Sequence, residues 1–482
     1  MSLNEHEFQP LSWRQAGLLS LVAVACLHLA YMPAQSGLLA FAIVGYVICL
    51  LQLARLHTTR QCFYTALAVG YACAAPQLTC FWRIFGVGAI ALWLVLAVWI
   101  ALFVVLAHLA LVKLGPKRAA LLIPFLWTGL EYFRSELYHL KFSWLNVGYV
   151  FAESSIVPWE WLGVYGVGFG VAAWSSLFLA FSARRVLIYT IVTMAVVAIV
   201  PFFLPRAART RLTPNLWVAG VQLEFPDSGD IVHALDRVVA EDNKLVANHI
   251  GSRPLTNVNL IVLSEYTLDG EPPDALKDWC RTNQKFLIVG GKAPAPGGDF
   301  YDTAFVISTN GEVVFQQVKS VPIQFFKDGL PAPEQKLWES PWGKIGICIC
   351  YDLSYTRVTD ELVRQGAQML IVPTMDVTDW GRHQHELHAR IAPVRAAEYG
   401  IPIFRVASSG ISQGVNQSGW VQSSAPFPGQ SEMIFFGAHL GKPGQVPPDR
   451  LLALLSVLVT GAFVLWLAAG TIRHRAKPAS AP

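Results

Sequence analysis

The sequence predicts two parts of different kinds, a multi-pass α-helical membrane domain and an α/β domain. Of the 482 residues, 54% are hydrophobic and only 14% are charged, and the mean hydropathy is +0.44. Such a chain is too apolar for an ordinary soluble enzyme and must keep much of its surface in lipid. Long apolar segments lie before Pro205, whereas short β-rich runs alternate with helical stretches after it. This alternation is typical of an α/β domain with layered sheets.

Eight apolar segments come close to the roughly 20 residues that a membrane-spanning helix requires. Seven precede the α/β domain and one follows it. They cover residues 16–32, 37–54, 62–80, 84–112, 119–138, 162–181, 186–204 and 451–471. The third segment is the least apolar, because Pro76, Gln77 and several small residues lower its hydropathy. A packed or re-entrant segment is the alternative to a full crossing there.

The basic residues between these segments predict the orientation of the chain. With the N-terminus in the cytoplasm, eleven basic residues fall on the cytoplasmic side and three in the opposite short loops. The eleven are Arg14, Arg55, Arg60, Lys113, Lys117, Arg118, Arg184, Arg185, Arg473, Arg475 and Lys477. The three are Arg83, Arg134 and Lys141. This asymmetry predicts that the α/β domain lies outside the cytoplasmic membrane.

The domain limits follow from the change in apolar density along the chain. The membrane domain is expected over residues 1–210 with about seven helices, the α/β domain over 215–448, a last transmembrane helix over 451–471 and a cytoplasmic tail over 472–482. Within the α/β domain, β-rich runs predict strands at 216–223, 258–263, 286–290, 304–308, 344–350, 368–372 and 402–407. Helical patterns predict helices at 230–249, 273–283, 358–365 and 385–399.

Composition and spacing argue against several other classes of protein. The net charge is only +4, and the basic residues sit at the ends of apolar segments, so nucleic-acid binding is not expected. Of the eight cysteines, five lie in or beside apolar segments, which fits neither a disulfide framework nor a zinc site. A histidine-rich segment does not repeat a zinc motif either, and a helix facing polar headgroups explains it as well. It contains His383, His385, Glu386 and His388.

Three polar residues of the α/β domain form a candidate catalytic set. Glu265 and Cys350 each come just past the end of a predicted strand, where open α/β sheets place their chemistry, and Lys319 lies between them in sequence. A thiol nucleophile needs a base to take its proton, and positive charge stabilises the oxyanion of the tetrahedral intermediate. The set therefore indicates acyl-thioester chemistry. Its position beside membrane segments suggests a lipid as the acyl donor.

Cys350 and Lys319 also have a purely structural explanation. A cysteine in an apolar strand is usually a core residue, and Cys348, which alternates with Cys350 along one strand, fits that role. Cys350 differs because Tyr351 and Asp352 end the strand there. Lys319 alone is typical of an exposed strand residue, so its assignment depends on the other two.

The order Glu265, Lys319, Cys350, with the run Gly-Lys-Ile-Gly-Ile-Cys-Ile-Cys-Tyr-Asp at 343–352, resembles the nitrilase (carbon-nitrogen hydrolase) superfamily. Eight spans with the catalytic domain inserted before the last one resemble, within it, the apolipoprotein N-acyltransferase family, which completes bacterial lipoprotein maturation. The resemblance covers nearly the whole chain. Further similar positions are Pro124, Trp127, Glu131, Arg134, residues 143–149, Gln384, His385, Ala389, Arg390, Arg395, Ala396, Glu398, Ser409 and Gly410.

The resemblance implies an α-β-β-α sandwich and an N-acyltransferase with catalytic residues Glu265, Lys319 and Cys350. A phospholipid would donate the acyl chain, the N-terminal diacylglyceryl-cysteine of an apolipoprotein would accept it, and a thioester would be the intermediate. No metal or other cofactor is implied. The location implied is the bacterial cytoplasmic (inner) membrane, with the catalytic domain on the periplasmic side. Residues implied in oxyanion stabilisation or substrate positioning are Tyr351, Asp352, Asp328, Trp144 and Tyr149.

Two departures from the family pattern bear on the substrate. The second glutamate expected after the lysine is missing, and Asp328 is the candidate to replace it with a shorter reach. Asp352 gives the Cys-Tyr-Asp form of soluble nitrilases, which favours a membrane-tethered amidase acting on a small amide as the alternative. A catalytically idle, lipoprotein-binding membrane protein is a further alternative. Apolar residues at 323–326 and Trp380 are expected either to shape lipid access or to anchor the domain at the interface.

Overall fold

The computed structural model describes residues 11–32, 37–152, 154, 156–181, 185, 213–247 and 258–475. The chain divides into two units. The first, the membrane unit, comprises Met1–Phe151, Trp161–Thr210 and Pro448–Pro482. The second, the α/β unit, comprises Ala152–Glu160 and Arg211–Pro447.

The membrane unit is built from helices in its described part. They are α1 (Trp13–Tyr31), α2 (Ala42–Leu53), α3 (Thr59–Gln77), α4 (Cys80–Phe85), α5 (Gly88–Tyr132), α6 (Trp159–Ala180) and a C-terminal helix (Asp449–Arg475). Four helical stretches there are long and apolar enough to cross a membrane, namely Trp13–Tyr31, Gly88–Leu137, Trp159–Ala180 and Asp449–Thr471. The second and third predicted spans are helical, but they are not among these four: α2 is short and α3 contains polar residues and Pro76. The predicted span at 186–204 lies outside the described residues.

The long helix α5 corresponds to two predicted spans, 84–112 and 119–138. Gly115 adopts φ 75° and ψ 165°, which breaks the helical backbone between the two arms. Only glycine takes such a conformation without steric cost, and Pro116 then starts the second arm, where its missing N–H has no intrahelical partner to lose. The glycine-proline pair therefore explains why two predicted segments appear as one bent helix.

Trp144 and Tyr149 lie in the loop that follows α5, and both are buried within the membrane unit. The guanidinium of Arg134, near the end of that helix, donates to Asn146 Oδ1 at 2.6 Å. The hydroxyl of Tyr31 donates to the carbonyl oxygen of Asn146 at 2.9 Å. Because polar groups in an apolar environment must find partners, these bonds hold the loop against the helices.

The α/β unit contains two six-stranded sheets. The strands are β1 (Leu216–Val221), β2 (Leu260–Val262), β3 (Phe286–Pro294), β4 (Phe300–Ile307), β5 (Val313–Val318), β6 (Leu337–Ser340), β7 (Gly343–Ile347), β8 (Met369–Thr374), β9 (Ile403–Ala407), β10 (Ser412–Val415), β11 (Val421–Ala425) and β12 (Met433–Ala438). The first sheet has the order β12-β1-β2-β3-β4-β5 and the second β11-β10-β9-β8-β7-β6. Strands β1 to β3 and β7 to β9 are parallel, and the outer strands extend each sheet antiparallel.

The two sheets pack face to face, and helices cover their outer faces. One apolar core joins residues of the first sheet, such as Val262 and Val306, to residues of the second, such as Ile347 and Phe404. Helices α7 (Ser228–Ala247) and α8 (Asp274–Asn283) lie on the first sheet. The second half of the chain contributes α9 (Thr356–Arg364), α10 (Arg382–Ala389) and α11 (Ile391–Tyr399). Helix α9 lies against β7, and α11 contacts β9. The expected α-β-β-α sandwich is confirmed.

Five strands were not predicted from the sequence: β5, β6, β10, β11 and β12. Four of them are outer strands, where a run such as Val-Gln-Ser-Ser-Ala in β11 lacks a continuous apolar pattern. The predicted helix at 385–399 is two helices, α10 and α11. Pro393 lies in the first turn of α11 and cannot donate to the carbonyl four residues earlier, so one continuous helix cannot form.

Candidate active site

Three loops at strand ends bring the predicted catalytic residues together. Glu265 follows β2, Lys319 follows β5 and Cys350 follows β7, so the two sheets of the sandwich both contribute. All three are buried, with exposed fractions of 3%, 0% and 3%. Charged side chains are rarely buried this deeply unless they are paired. The burial of Lys319 excludes the exposed-strand explanation for that residue.

Left-handed backbone turns orient two of these residues. Cys350 adopts φ 49°, and Tyr266, directly after Glu265, adopts φ 52°. Non-glycine residues take such values rarely and at a cost of about 1–3 kcal/mol, and they persist where surrounding contacts enforce them. The backbone of Glu265 also passes directly over Gly290 of β3, where a Cβ would lie 2.5 Å from the Cα of Glu265. The site therefore requires glycine at 290.

Lys319 is the electrostatic centre of the site. Its Nζ lies 2.6 Å from Glu265 Oε1, 2.7 Å from Asp328 Oδ2 and 3.4 Å from Asp302 Oδ2. Burial by itself would lower the pKa of Lys319, but the three carboxyl groups outweigh it and raise that pKa well above 10.5. Lys319 is consequently an ammonium ion under all ordinary conditions.

The same three carboxyl groups have the spacing of metal ligands. Their nearest oxygens lie within 4.8 Å of one another. No other group of three possible metal ligands this close together occurs among the residues described. An ammonium group already occupies the centre of the cluster, because Lys319 Nζ contacts all three. The histidine-rich segment does not converge: His388 pairs with Asp376, whereas the ring of His385 bonds the carbonyl of Gly381.

The main chain of Met375 connects Glu265 to Cys350. Its N–H donates to Glu265 Oε2 at 2.6 Å, and its carbonyl oxygen accepts a bond of 3.7 Å from the Cys350 thiol. The adjacent Asp376 is fixed by the side chains of Arg405 and His388. Burial would raise the pKa of Asp376, but His388 and Arg405 outweigh it and hold that pKa well below 3.8. A buried ionic cluster thus holds the strand end that positions the base.

Cys350 rests as a thiol. Burial raises its pKa well above 9.0, Glu265 raises it further, and Lys319 opposes the shift. Only a thiolate attacks carbonyl carbon efficiently, so Cys350 needs a base at the moment of reaction. Glu265 is the carboxylate next to it, already oriented by Lys319 and by the Met375 amide. The arrangement is that of a base-assisted thiol nucleophile.

Asp352 anchors the loop that carries the nucleophile. Its carboxylate accepts bonds from the backbone N–H groups of Ser320 at 3.0 Å, Val321 at 2.7 Å and Ile349 at 3.2 Å. The segment after Lys319 is thereby tied to the strand end before Cys350. Burial raises the pKa of Asp352 to about 6, against the lowering effect of these amides and of the nearby ammonium.

Asp328 and Tyr351 also lie at the site. Asp328 accepts bonds from the Tyr266 hydroxyl at 2.9 Å and from the Ile323 N–H at 2.6 Å, in addition to its ion pair with Lys319. Tyr351 follows the nucleophile, and its ring packs edge-on against Tyr355 with centroids 4.9 Å apart. Of the remaining predicted positioning residues, Trp144 and Tyr149 belong to the membrane unit.

A pocket of about 710 Å³ opens beside the base and the lysine. This volume is typical of sites for small organic molecules. Its wall is mostly apolar and aromatic. Of the residues at 323–326, which were expected to shape lipid access or anchor the domain, Ile323 and Phe326 line this pocket. The side chains around it include Phe225, Tyr266, Leu268, Phe300, Ile323, Phe326, Met375 and Trp380, with Lys292 and Lys327 as its further cations.

Asp302, Tyr266 and Met375 were not predicted as members of the site. Asp302 carried a usable signal, because it is the charged residue in a mainly apolar strand, Phe-Tyr-Asp-Thr-Ala-Phe-Val-Ile, and its position there is buried. A charged residue at such a position is seldom without a function or a partner. Met375 acts through its peptide group, so no feature of its side chain could have identified it.

Known proteins resemble this chain in both halves. A family model described as the apolipoprotein N-acyltransferase N-terminal domain matches residues 23–177, and one described as carbon-nitrogen hydrolase matches 246–433. An apolipoprotein N-acyltransferase from Geobacter metallireducens is 22% identical over 362 residues, covering 66% of this chain and 68% of that protein. Nitrilase homolog 2 from Dictyostelium discoideum is 32% identical over 174 residues, covering 32% of this chain and 52% of that protein.

Among solved structures, a member of branch 10 of the nitrilase superfamily from Saccharomyces cerevisiae is 20% identical. It covers 46% of this chain and 88% of its own, with a TM-score of 0.36. The family models match in succession along one chain, the acyltransferase domain first and the hydrolase domain second. Together with the N-acyltransferase relative, they show that the chain belongs to the apolipoprotein N-acyltransferase family of the nitrilase superfamily.

Proposed function

We propose that the protein transfers a fatty acyl chain from a phospholipid to the α-amine of the N-terminal diacylglyceryl-cysteine of an apolipoprotein, through an S-acyl intermediate on Cys350. Family membership supports lipoprotein N-acylation in general. The observation that carries the finer proposal is the buried set of Glu265, Lys319 and Cys350, joined through the Met375 peptide. Apolar helices in the same chain supply access to lipid.

In the first half-reaction Glu265 takes the proton of the Cys350 thiol, and the sulfur attacks the ester carbonyl of the phospholipid. The negative charge that forms on the carbonyl oxygen is stabilised by the Lys319 ammonium and by the N–H of Tyr351. When the intermediate collapses, the bond between the carbonyl carbon and the glycerol oxygen breaks. Glu265 returns its proton to that oxygen, which leaves a lysophospholipid and the S-acyl enzyme.

In the second half-reaction the neutral α-amine of the acceptor attacks the thioester carbonyl. Glu265 removes a proton from the amine nitrogen as the carbon–nitrogen bond forms. The carbon–sulfur bond then breaks, and the departing Cys350 sulfur receives that proton. The products are an amide on the lipoprotein and the free thiol, so the enzyme is regenerated without any net change in its protons.

The pocket supports a lipid substrate more than a small amide. Its wall is mainly aromatic and aliphatic, and Phe225 and Phe326 are solvent-exposed at its edge. Exposed apolar clusters of this kind mark sites that bind other apolar molecules. The Asp352 carboxylate is engaged by backbone N–H groups of the protein itself, so its role here is to anchor the loop, and the Cys-Tyr-Asp form by itself does not select between the two substrates.

Incubating the purified full-length protein with a phospholipid of known acyl mass is expected to add one acyl group to the protein and release lysophospholipid, as intact-mass and peptide mass spectrometry would record. Addition of a diacylglyceryl-cysteinyl peptide with a free α-amine should discharge the protein and acylate the peptide. A matched peptide with an acetylated α-amine should leave the adduct in place. Rapid release of free fatty acid without acceptor would instead identify a hydrolase, and absence of both adduct and acylated peptide would exclude the proposal.

We also propose that the α/β unit lies on the periplasmic side of the bacterial cytoplasmic membrane. The support is the distribution of basic residues, eleven against three between the apolar segments. In a background without other accessible cysteines, Pro296→Cys is expected to react with a membrane-impermeant maleimide in intact cells, and Ser2→Cys only after lysis. Reaction of both positions before lysis, or of neither position until lysis, contradicts this orientation.

A further inference from the structure

Asp302 is a buried carboxyl group that takes no part in either of the two proposed half-reactions. It lies on β4 with an exposed fraction of 0%, 3.4 Å from Lys319 Nζ. Neither of its carboxyl oxygens accepts a hydrogen bond from any residue that the structure describes. Its two carboxyl neighbours differ in this respect. Glu265 accepts the Met375 N–H, and Asp328 accepts bonds from Tyr266 and Ile323.

The charges in the cluster do not balance if every acid is ionised. One ammonium ion would face three carboxylates whose oxygens lie within 4.8 Å of one another, all of them buried. A buried carboxylate without compensating donors is far less stable than the neutral acid, so such a group takes up a proton. Lys319 and the hydrogen-bond donors around Glu265 and Asp328 stabilise two ionised groups. Asp302, which has the longest contact to the ammonium and no donor, is the group left to carry the proton.

We propose that Asp302 is held as a neutral carboxylic acid that donates its hydrogen bond to the Glu265 carboxylate, so that an acid–carboxylate pair forms the base of the active site. Two carboxylates could not hydrogen-bond to each other, because both are acceptors only, whereas an acid and a carboxylate can. The proposal rests on the proposed function for its consequence in catalysis, but not for the protonation itself.

The electrostatic surroundings of Asp302 agree with this assignment. Burial raises the pKa of Asp302 well above 3.8, and the charges of Glu265 and Asp328 add to the shift while Lys319 opposes it. The phenol of Tyr266 also interacts with Asp302, and burial raises the pKa of that phenol, so it stays neutral. The charged groups around Asp302 are therefore two carboxylates and one ammonium ion.

The acid–carboxylate pair has a defined consequence for Glu265. The hydrogen bond from Asp302 adds a third donor to those from Lys319 and Met375, which fixes the carboxylate in the rotamer that faces the thiol. When Glu265 accepts the proton of Cys350, Asp302 keeps its own proton, and no proton leaves the site in either half-reaction. Asp302 touches neither substrate nor sulfur, so it is a positioning residue.

Infrared difference spectroscopy of the full-length protein at neutral pH, wild type minus Asp302→Asn, tests the protonation directly. We expect a positive band from the carbonyl stretch of a protonated carboxyl group, sensitive to exchange in D₂O. The band should shift in Glu265→Gln, because the acceptor of the hydrogen bond has changed. No band at neutral pH, or a band unaffected by Glu265→Gln, overturns the proposal. This measurement requires no turnover, so it is independent of the proposed function.

Rescue by the isosteric amide tests the positioning role. Asp302→Ala removes the donor and is expected to slow alkylation of Cys350 by iodoacetamide by about tenfold, the usual size of a lost hydrogen bond. Asp302→Asn keeps a neutral N–H donor and should recover most of that loss. If Asp302 were instead an ionised partner of Lys319, asparagine would be as damaging as alanine, and that result would overturn the proposal.

Discussion

Replacing Cys350 with alanine is expected to abolish the acyl-enzyme and to lower the rate of N-acylation by at least about 10³-fold. The physical reason is that no other thiol can substitute. Cys348 lies just past the end of β7, where it is fully buried, and burial raises its pKa well above 9.0. The measurement is mass spectrometry of the protein with phospholipid, followed by quantification of the acylated peptide.

The matched control is Cys348→Ala. It removes a sulfur atom from the core and is expected to cost about 1–2 kcal/mol of stability, as small truncations of buried side chains do. The adduct on Cys350 should still form at a similar rate. If Cys350→Ala still accumulated a thioester, or if Cys348→Ala alone lost it, the assignment of the nucleophile would be wrong.

Replacing Lys319 with methionine is expected to destabilise the α/β unit by about 3–5 kcal/mol, because removing one partner leaves buried carboxylates without a counter-ion. For a domain of this size such a loss lowers the thermal midpoint by about 10 °C. Activity should be lost as well, since the oxyanion loses its cation. The measurements are thermal unfolding of the purified protein in detergent and the rate of adduct formation.

The control for this substitution is Lys344→Met. The Lys344 side chain is 46% exposed and pairs with Glu339 at 3.0 Å on the surface. An exposed ion pair contributes about 0–1 kcal/mol, so the midpoint should hardly change. Equal midpoints for Lys319→Met and the wild type would show that the cluster does not need its cation.

The pH dependence gives a second check on Lys319. Its folded-state pKa is raised well above 10.5, so the unfolded chain releases this proton at a lower pH than the folded protein does. The contribution of the ion pairs to stability is therefore complete below about pH 10, and it declines only as the pH rises toward the folded-state pKa. Titration of Lys319 itself therefore contributes no change in wild-type stability across the neutral range, and thermal midpoints measured at rising pH should show its loss only above about pH 10.

The site depends on the packing of one sheet against the other. Glu265 and Lys319 leave the first sheet, whereas Cys350 and the Met375 peptide leave the second. The bond from Met375 to Glu265 crosses that interface, whereas the bond from Cys350 to Met375 joins two segments that both leave the second sheet. A substitution in the shared core that changes the spacing of the sheets, for instance at Ile347 or Val262, alters the geometry of base and nucleophile together.

Much of this arrangement could be predicted from local sequence. Apolar length indicated helices in the membrane unit, and parallel strands such as β2 and β8, which are buried along their whole length, were recognised as continuous apolar runs. Glu265 and Cys350 were found because each follows such a run. The outer strands were missed, since their side chains alternate or are polar and their pairing comes from neighbours that are distant in sequence.

What the sequence by itself determined, then, is the set of chemical groups and their places at strand ends. It predicted which residues would serve as base, cation and nucleophile, because periodicity and residue type are local properties. Only the tertiary structure decided that Lys319 is buried among three carboxyl groups, that Asp302 belongs with them, and that a main-chain peptide at Met375 links base to thiol. Those facts depend on distances between segments far apart in the chain, and such distances are set by the packing of the two sheets.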